Sequence, residues 1–302
     1  MKLRYGIVGT GSMGGFYGGK LANTGHSVEF LLHSDYEFVK QNGLRVDSVL
    51  GDFYLRSVAA FRRSEEMSVA DVVLVCLKTT QNYLLKTLLP PLLHKDTLII
   101  LLQNGLGVEA DVAQEFPQHA VAGAVAFVCS QKMGPGHIAH LDLGRIVFGV
   151  EQGDCHATLE QVCADFNSSG IDAQLTTDLP LIRWRKLVWN IPFNGTTVVM
   201  NTTTKHLIQH EATRPLIYNL MQEVVQGANA CGVALSEEFA RKMVDMTETM
   251  TPYEPSMKID FDNNRPLEVK YIYTRPIEIA AAAGFEMRRV RMLEQQLRFL
   301  SK

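Results

Sequence analysis

At 302 residues the chain is about twice the size of a typical domain, and 46% hydrophobic with 20% charged side chains supplies apolar surface for two packed cores. That excludes a disulfide-stapled miniprotein and global disorder. Against 32 acidic residues stand 29 basic ones, a formal charge of -3 that is too near neutral for the positive field a phosphate backbone requires, so nucleic acid is set aside as a partner.

The opening run from Met1 to Gly9 interrupts its apolar stretch with Gly6 before a signal-peptide core can form, which predicts a cytoplasmic, unprocessed protein. Apolar runs such as Val72 to Leu77 fall far short of the ~20 residues that span a bilayer, so no membrane role is expected. From the N-terminus, β-rich runs at Arg4 to Val8, Ser27 to Leu32, Asp71 to Leu77 and Thr97 to Leu102 alternate with helix-length amphipathic stretches. This rhythm predicts an α/β fold with a doubly wound parallel sheet. Val121 to Cys129, His137 to Leu141 and Arg145 to Val150, with a turn at Gly134-Pro135-Gly136, predict strands that extend the sheet as a mixed edge. After Asp172 to Leu175 the pattern turns helical: Leu179 to Ile191, Pro215 to Cys231, Glu237 to Thr249, Val269 to Ala283 and Met287 to Phe299. The boundary therefore falls near Thr177, with an α/β domain at 1–176 and an all-helical domain at 177–302. Between two of the helices, Thr251 to Arg265 is polar and carries Pro252, Pro255 and Asn263-Asn264, which predicts a long loop.

Gly9-Thr10-Gly11-Ser12-Met13-Gly14 is G-x-G-x-x-G directly after the first strand and at the start of the first helix. In that context it marks a Rossmann-type dinucleotide site. Gly9 permits the tight turn, Gly11 the approach of a pyrophosphate, and Gly14 close packing of helix on strand. Cofactor choice is read at the end of the second strand, where this chain has His33-Ser34 in place of the carboxylate that holds a ribose 2′-hydroxyl or the arginine that holds a 2′-phosphate. Both side chains can donate to phosphate, which inclines the reading to NADP and leaves NAD open. Asp35 is equally well explained as a helix N-cap. Lys78 and Gln103-Asn104-Gly105 follow the third and fourth strands, at the carboxyl ends where open α/β sheets bind ligands.

In the first helix of the second domain, Lys186, Asn190 and Asn194 recur every four residues, a rotation of about 40° per step, and so share one face. The remaining positions are largely apolar. A lysine there could lose hydration and have its pKa drawn towards neutrality, as a general acid needs; a snorkelling lysine with two solvent-facing asparagines fits the spacing equally well. Pro192 is expected to kink or end this helix just before Asn194-Gly195. Cys76, Cys129, Cys155, Cys163 and Cys231 are scattered and form no C-x-x-C pair, so they read as reduced thiols. His137 and His140 project to opposite faces of a strand, and no metal is assigned.

The ensemble resembles the ketopantoate reductase (2-dehydropantoate 2-reductase) family along essentially the whole chain. The carrying motifs are GTGSMG, CLKTTQ, LLQNGLG, GPGHIAH followed by GRIVFG, KLVWNIPFNG and SMKIDFDNNRPLEV. The resemblance implies a Rossmann domain followed by a helical domain, and reduction of ketopantoate to pantoate with NADPH on the route to pantothenate and coenzyme A. It further implies Lys186 as general acid, Glu268 as its carboxylate partner, and Asn190, Asn194 and Ser256 as substrate-binding groups. Lys78 and Asn104 would lie at the nicotinamide end, Asn104 also meeting substrate. His33 stands where the family usually has a phosphate-selecting arginine. Lys270 and Tyr273-Thr274 replace an acidic residue and an asparagine-glycine after the glutamate motif, so a paralogue acting on another short 2-oxo or 3-oxo acid is an alternative. A β-hydroxyacid dehydrogenase and a non-catalytic dinucleotide sensor are two more. Whether the apolar helices pack within one chain or across a homodimer is left open.

Overall fold

Strand runs such as Val72–Val75 and Leu98–Leu101 carry no polar residue and are buried on both faces, as strands inside a parallel sheet must be. The computed structural model describes residues 2–250 and 254–301. Its strands are β1 (Arg4–Val8), β2 (Ser27–Leu31), β3 (Leu44–Ser48), β4 (Phe53–Leu55), β5 (Ala60–Phe61), β6 (Val72–Val75), β7 (Leu98–Leu101), β8 (Ala120–Gly134), β9 (His137–Gln152) and β10 (Ala173–Thr176). They form one sheet in the order β4-β3-β9-β8-β7-β6-β1-β2-β5, with β10 also beside β9. The pairs from β7 through β6 and β1 to β2 are parallel, the Rossmann arrangement.

Two expectations are corrected. The stretch between Leu32 and Asp71 is not simply helical: α2 (Tyr36–Asn42) is followed by β3, β4 and β5. The β8–β9 hairpin is not an edge, because the first part of β9 pairs with β3 and the later part with β10. Both reflect long-range pairing, Arg45 opposite His137 for example, that no local pattern announces.

Strands from both ends of this sheet meet α1 (Ser12–Asn23). A Cβ on Gly18 would lie 2.8 Å from Ile7 and Phe30, one on Gly15 2.0 Å from Ile138, and one on Gly19 3.2 Å from Phe53. The sheet therefore curls around α1. Glycines lower the intrinsic stability of a helix by ~1 kcal/mol each, and here they are retained because only a hydrogen fits between helix and strands. The remaining helices of this unit are α3 (Leu85–Leu88), α4 (Val108–Glu115) and α5 (His156–Ser168).

By compactness the chain divides into one unit comprising residues up to Gln103 plus Val108–Leu179, and another comprising Asn104–Gly107 plus Pro180 onward. The second is helical: α6 (Leu179–Val199), α7 (Thr204–Gln209), α8 (Thr213–Ala230), α9 (Glu237–Thr249), α10 (Ser256–Asp262), α11 (Arg275–Ala282) and α12 (Arg288–Leu300). A π-helical turn at Lys270–Thr274 runs directly into α11. The loop expected over Thr251 to Arg265 instead contains α10, while positions 251–253 lie outside the described residues. Pro255 sits just ahead of α10, where it starts a helix rather than breaks one. Nor does Pro192 end α6, which continues to Val199. Burial of Trp184, Leu187, Val188, Ile191, Phe193 and Val198 outweighs the ~3 kcal/mol that an interior proline costs. Among the described residues no helix is long and apolar enough to cross a membrane.

Candidate active site

The glycine fingerprint takes the conformations that a phosphate cradle needs. Gly9 has φ +98°, a left-handed conformation, and a Cβ there would meet the backbone of Leu77 at 2.8 Å. On Gly14 a Cβ would lie 2.2 Å from the Gly9 carbonyl oxygen, so this glycine lets α1 close on its strand. Gly11 differs, with nothing within 4 Å of a built Cβ. The open space lies at the start of α1, whose first turn carries no acidic side chain and whose first N–H groups have no helical acceptor. Such a cradle fits a dinucleotide pyrophosphate, with Gly9, Thr10, Gly11, Ser12, Met13 and Gly14 around it. Thr10 Oγ1 also donates to the Leu31 carbonyl at 3.1 Å and ties the loop to the end of β2.

Beyond that strand end His33 and Ser34 are exposed, whereas Asp35 is buried. Asp35 occupies the N-cap position of α2, yet its side chain caps nothing. Its Oδ1 accepts Lys132 Nζ at 2.6 Å and Ser34 Oγ at 3.0 Å, and its Oδ2 accepts the Gly136 N–H at 3.1 Å. The N-cap explanation of Asp35 is thereby replaced by an ion pair across the sheet. Lys132 had no local signal, because it arrives on β8, 97 residues along the chain from Asp35. His137 pairs with Asp47 at 2.8 Å and His140 with the Ser48 hydroxyl at 2.8 Å, two separate partners on β3.

On α6, Lys186 is half-buried, while Asn190 and Asn194 are 7% and 2% exposed. The asparagines do not face solvent. Tyr273, fully buried, donates its hydroxyl to the Ile191 carbonyl at 2.9 Å. That carbonyl is the i−4 ladder position for Gly195 within α6. A side-chain hydroxyl thus joins the ladder between Asn190 and Asn194, and burial holds the phenol far above its ordinary titration range, so it remains a donor. Only glycine allows this, since a Cβ at Gly195 would lie 2.8 Å from the Tyr273 oxygen. Tyr273→Phe should lower stability by about 1–2 kcal/mol in thermal unfolding through the buried groups it leaves unpaired, and Tyr273→Ala by about 4 kcal/mol.

The same segment follows Glu268 and meets the loop that begins at Asn104. Glu268, 4% exposed, lies two residues before the π turn. Tyr271 in that turn accepts the Leu106 N–H on its carbonyl at 2.9 Å, and Gly105, at φ +107°, fits against it where a Cβ would be 2.5 Å away. Asn104, next in the chain, is therefore anchored to the helical unit. Ser256 is half-buried at the first position of α10. Lys78 precedes a 3-10 turn after β6, and the adjacent Leu77 carbonyl accepts Gln103 Nε2 at 2.7 Å, which joins the carboxyl ends of β6 and β7.

The cysteines are free, and burial raises the thiol pKa of all five, Cys129 to about 11 with Asp142 adding to the effect. At pH 8 the native thiols should react with Ellman's reagent at least ~10-fold more slowly than free cysteine, and all should react readily after denaturation.

Two family models match the chain. Ketopantoate reductase PanE/ApbA matches residues 5–153, and Ketopantoate reductase PanE/ApbA C terminal matches residues 178–301. The 2-dehydropantoate 2-reductase of Nostoc sp. is 46% identical over 98% of this chain and 95% of its own. The crystal structure of 2-dehydropantoate 2-reductase from Geobacter metallireducens superposes with a TM-score of 0.95 at 40% identity, over 98% of this chain and 99% of that one. The corresponding enzyme from Methylococcus capsulatus gives 0.89 at 32%, over 99% and 96%. With family models matching residues 5–153 and 178–301 and a relative 46% identical over nearly the whole of both chains, this chain belongs to the ketopantoate reductase family.

Proposed function

We propose that this protein is a cytoplasmic oxidoreductase that reduces 2-dehydropantoate to pantoate with NADPH, in the route to pantothenate and coenzyme A. The observation that carries the reading is the face of α6, where a half-buried lysine is followed by two buried asparagines. The α/β unit binds the dinucleotide and the helical unit binds the keto acid. When bound, the nicotinamide supplies the hydride that adds to the ketone carbon. Negative charge then develops on the carbonyl oxygen, and Lys186 stabilises it as a cation and donates the proton. Glu268, buried, orients that lysine. Asn190 and Asn194, fixed by the Tyr273 contact between them, hold the polar groups of the substrate, and Ser256 donates to its carboxylate. Lys78 and Asn104 border the nicotinamide end.

Selectivity tests the reading. Purified protein should oxidise NADPH with ketopantoate at least ~10-fold more efficiently than with pyruvate, 2-oxoisovalerate or oxaloacetate, in kcat/KM. Turnover of another acid in preference to ketopantoate would make the protein a paralogue, and binding without turnover of any acid would make it a sensor.

A further inference from the structure

The glycine cradle and the end of β2 are linked by one face of β8. Ser130 Oγ lies 4.0 Å from the sulfur of Met13, the second residue of α1. Two residues on, in regular register with β9, Lys132 projects from the same face and reaches Asp35 Oδ1, the oxygen that also accepts the Ser34 hydroxyl. An ammonium and a hydroxyl therefore converge where the ribose 2′-position is read in this fold. The lysine is one-third exposed, its aspartate only 8%. Asp35 also keeps the Gly136 N–H, so the carboxylate stays anchored when the ammonium turns to a second anion.

Resting on the NADPH reading above, we propose that Lys132 is the cationic determinant of NADPH over NADH, binding the 2′-phosphate together with Ser34 and His33, with Asp35 as the residue that positions it. The pair accounts for the absence of an arginine after β2, since the charge arrives from β8. It also explains why a carboxylate beside the strand end is compatible with a phosphate. Left alone, Asp35 would repel a group carrying about two negative charges and favour a free 2′-hydroxyl; neutralised by Lys132, it does neither.

Calorimetry with 2′,5′-ADP and 5′-AMP reads this without turnover. Wild-type protein should prefer 2′,5′-ADP, Lys132→Met should reduce that preference at least ~10-fold, and Lys132→Arg should keep it within about threefold. In steady state, the Met variant should lose NADPH efficiency by a similar factor with NADH unchanged. Reductive methylation mapped by mass spectrometry needs no variant: 2′,5′-ADP should protect Lys132 where 5′-AMP does not. A selective wild type whose preference survives Lys132→Met, or whose Lys132 is unprotected, overturns the assignment and leaves the NADPH reading standing. A wild type that binds both nucleotides equally overturns both.

Discussion

Replacing Lys186 with alanine is expected to lower ketopantoate turnover about a thousandfold while dinucleotide affinity stays within about twofold. General acid catalysis contributes ~10² to 10⁴, and this lysine is assigned charge stabilisation as well as proton donation. Lys186 belongs to the helical unit and the glycine cradle to the other. The test pairs kcat with NADPH binding measured by fluorescence. Retained turnover would remove Lys186 from the chemistry, and a parallel loss of NADPH affinity would make it a cofactor ligand instead. Glu268→Gln should produce a smaller loss of kcat, because a neutral amide keeps the shape and part of the hydrogen bonding.

The second large effect separates two glycines of one motif. Gly14→Ala places a Cβ 2.2 Å from the Gly9 backbone oxygen, which cannot move without pulling α1 from the sheet, so a destabilisation of about 3 kcal/mol is expected. Gly11→Ala meets nothing within 4 Å and should change stability by no more than ~0.5 kcal/mol. Its methyl group enters the space assigned to the pyrophosphate, so dinucleotide affinity should fall at least ~10-fold. Melting curves and binding isotherms on the two variants check the contrast. Equal effects on stability, or undiminished nucleotide binding by the Gly11 variant, would mean that the open space is not the cradle.

Periodicity and glycine spacing were enough to locate the parallel strands and the glycine turn between β1 and α1, because strand alternation, helix entry and left-handed turns leave local marks. That Lys186, Asn190 and Asn194 line one helix was legible for the same reason: four-residue spacing is a local property. Burial of the asparagines was not, since it depends on elements such as the π turn that carries Tyr273, some eighty residues downstream. That α6 continues past Pro192 was not legible, because propensity is local and the packing that overrides it is not. Strands β3 and β4 were missed, being short and partly polar and having distant partners. Asp35 and Lys132 are 97 residues apart and meet only because β8 runs out to the start of α2.

The most direct measurement is a single turnover: excess protein loaded with NADPH is mixed with ketopantoate in a stopped-flow instrument and quenched samples are assayed for pantoate. Reduction of ketopantoate through Lys186 predicts loss of reduced-nicotinamide absorbance with an equal molar yield of pantoate, in wild-type protein and not in Lys186→Ala. Absorbance that does not change, or that falls without pantoate appearing, would contradict it.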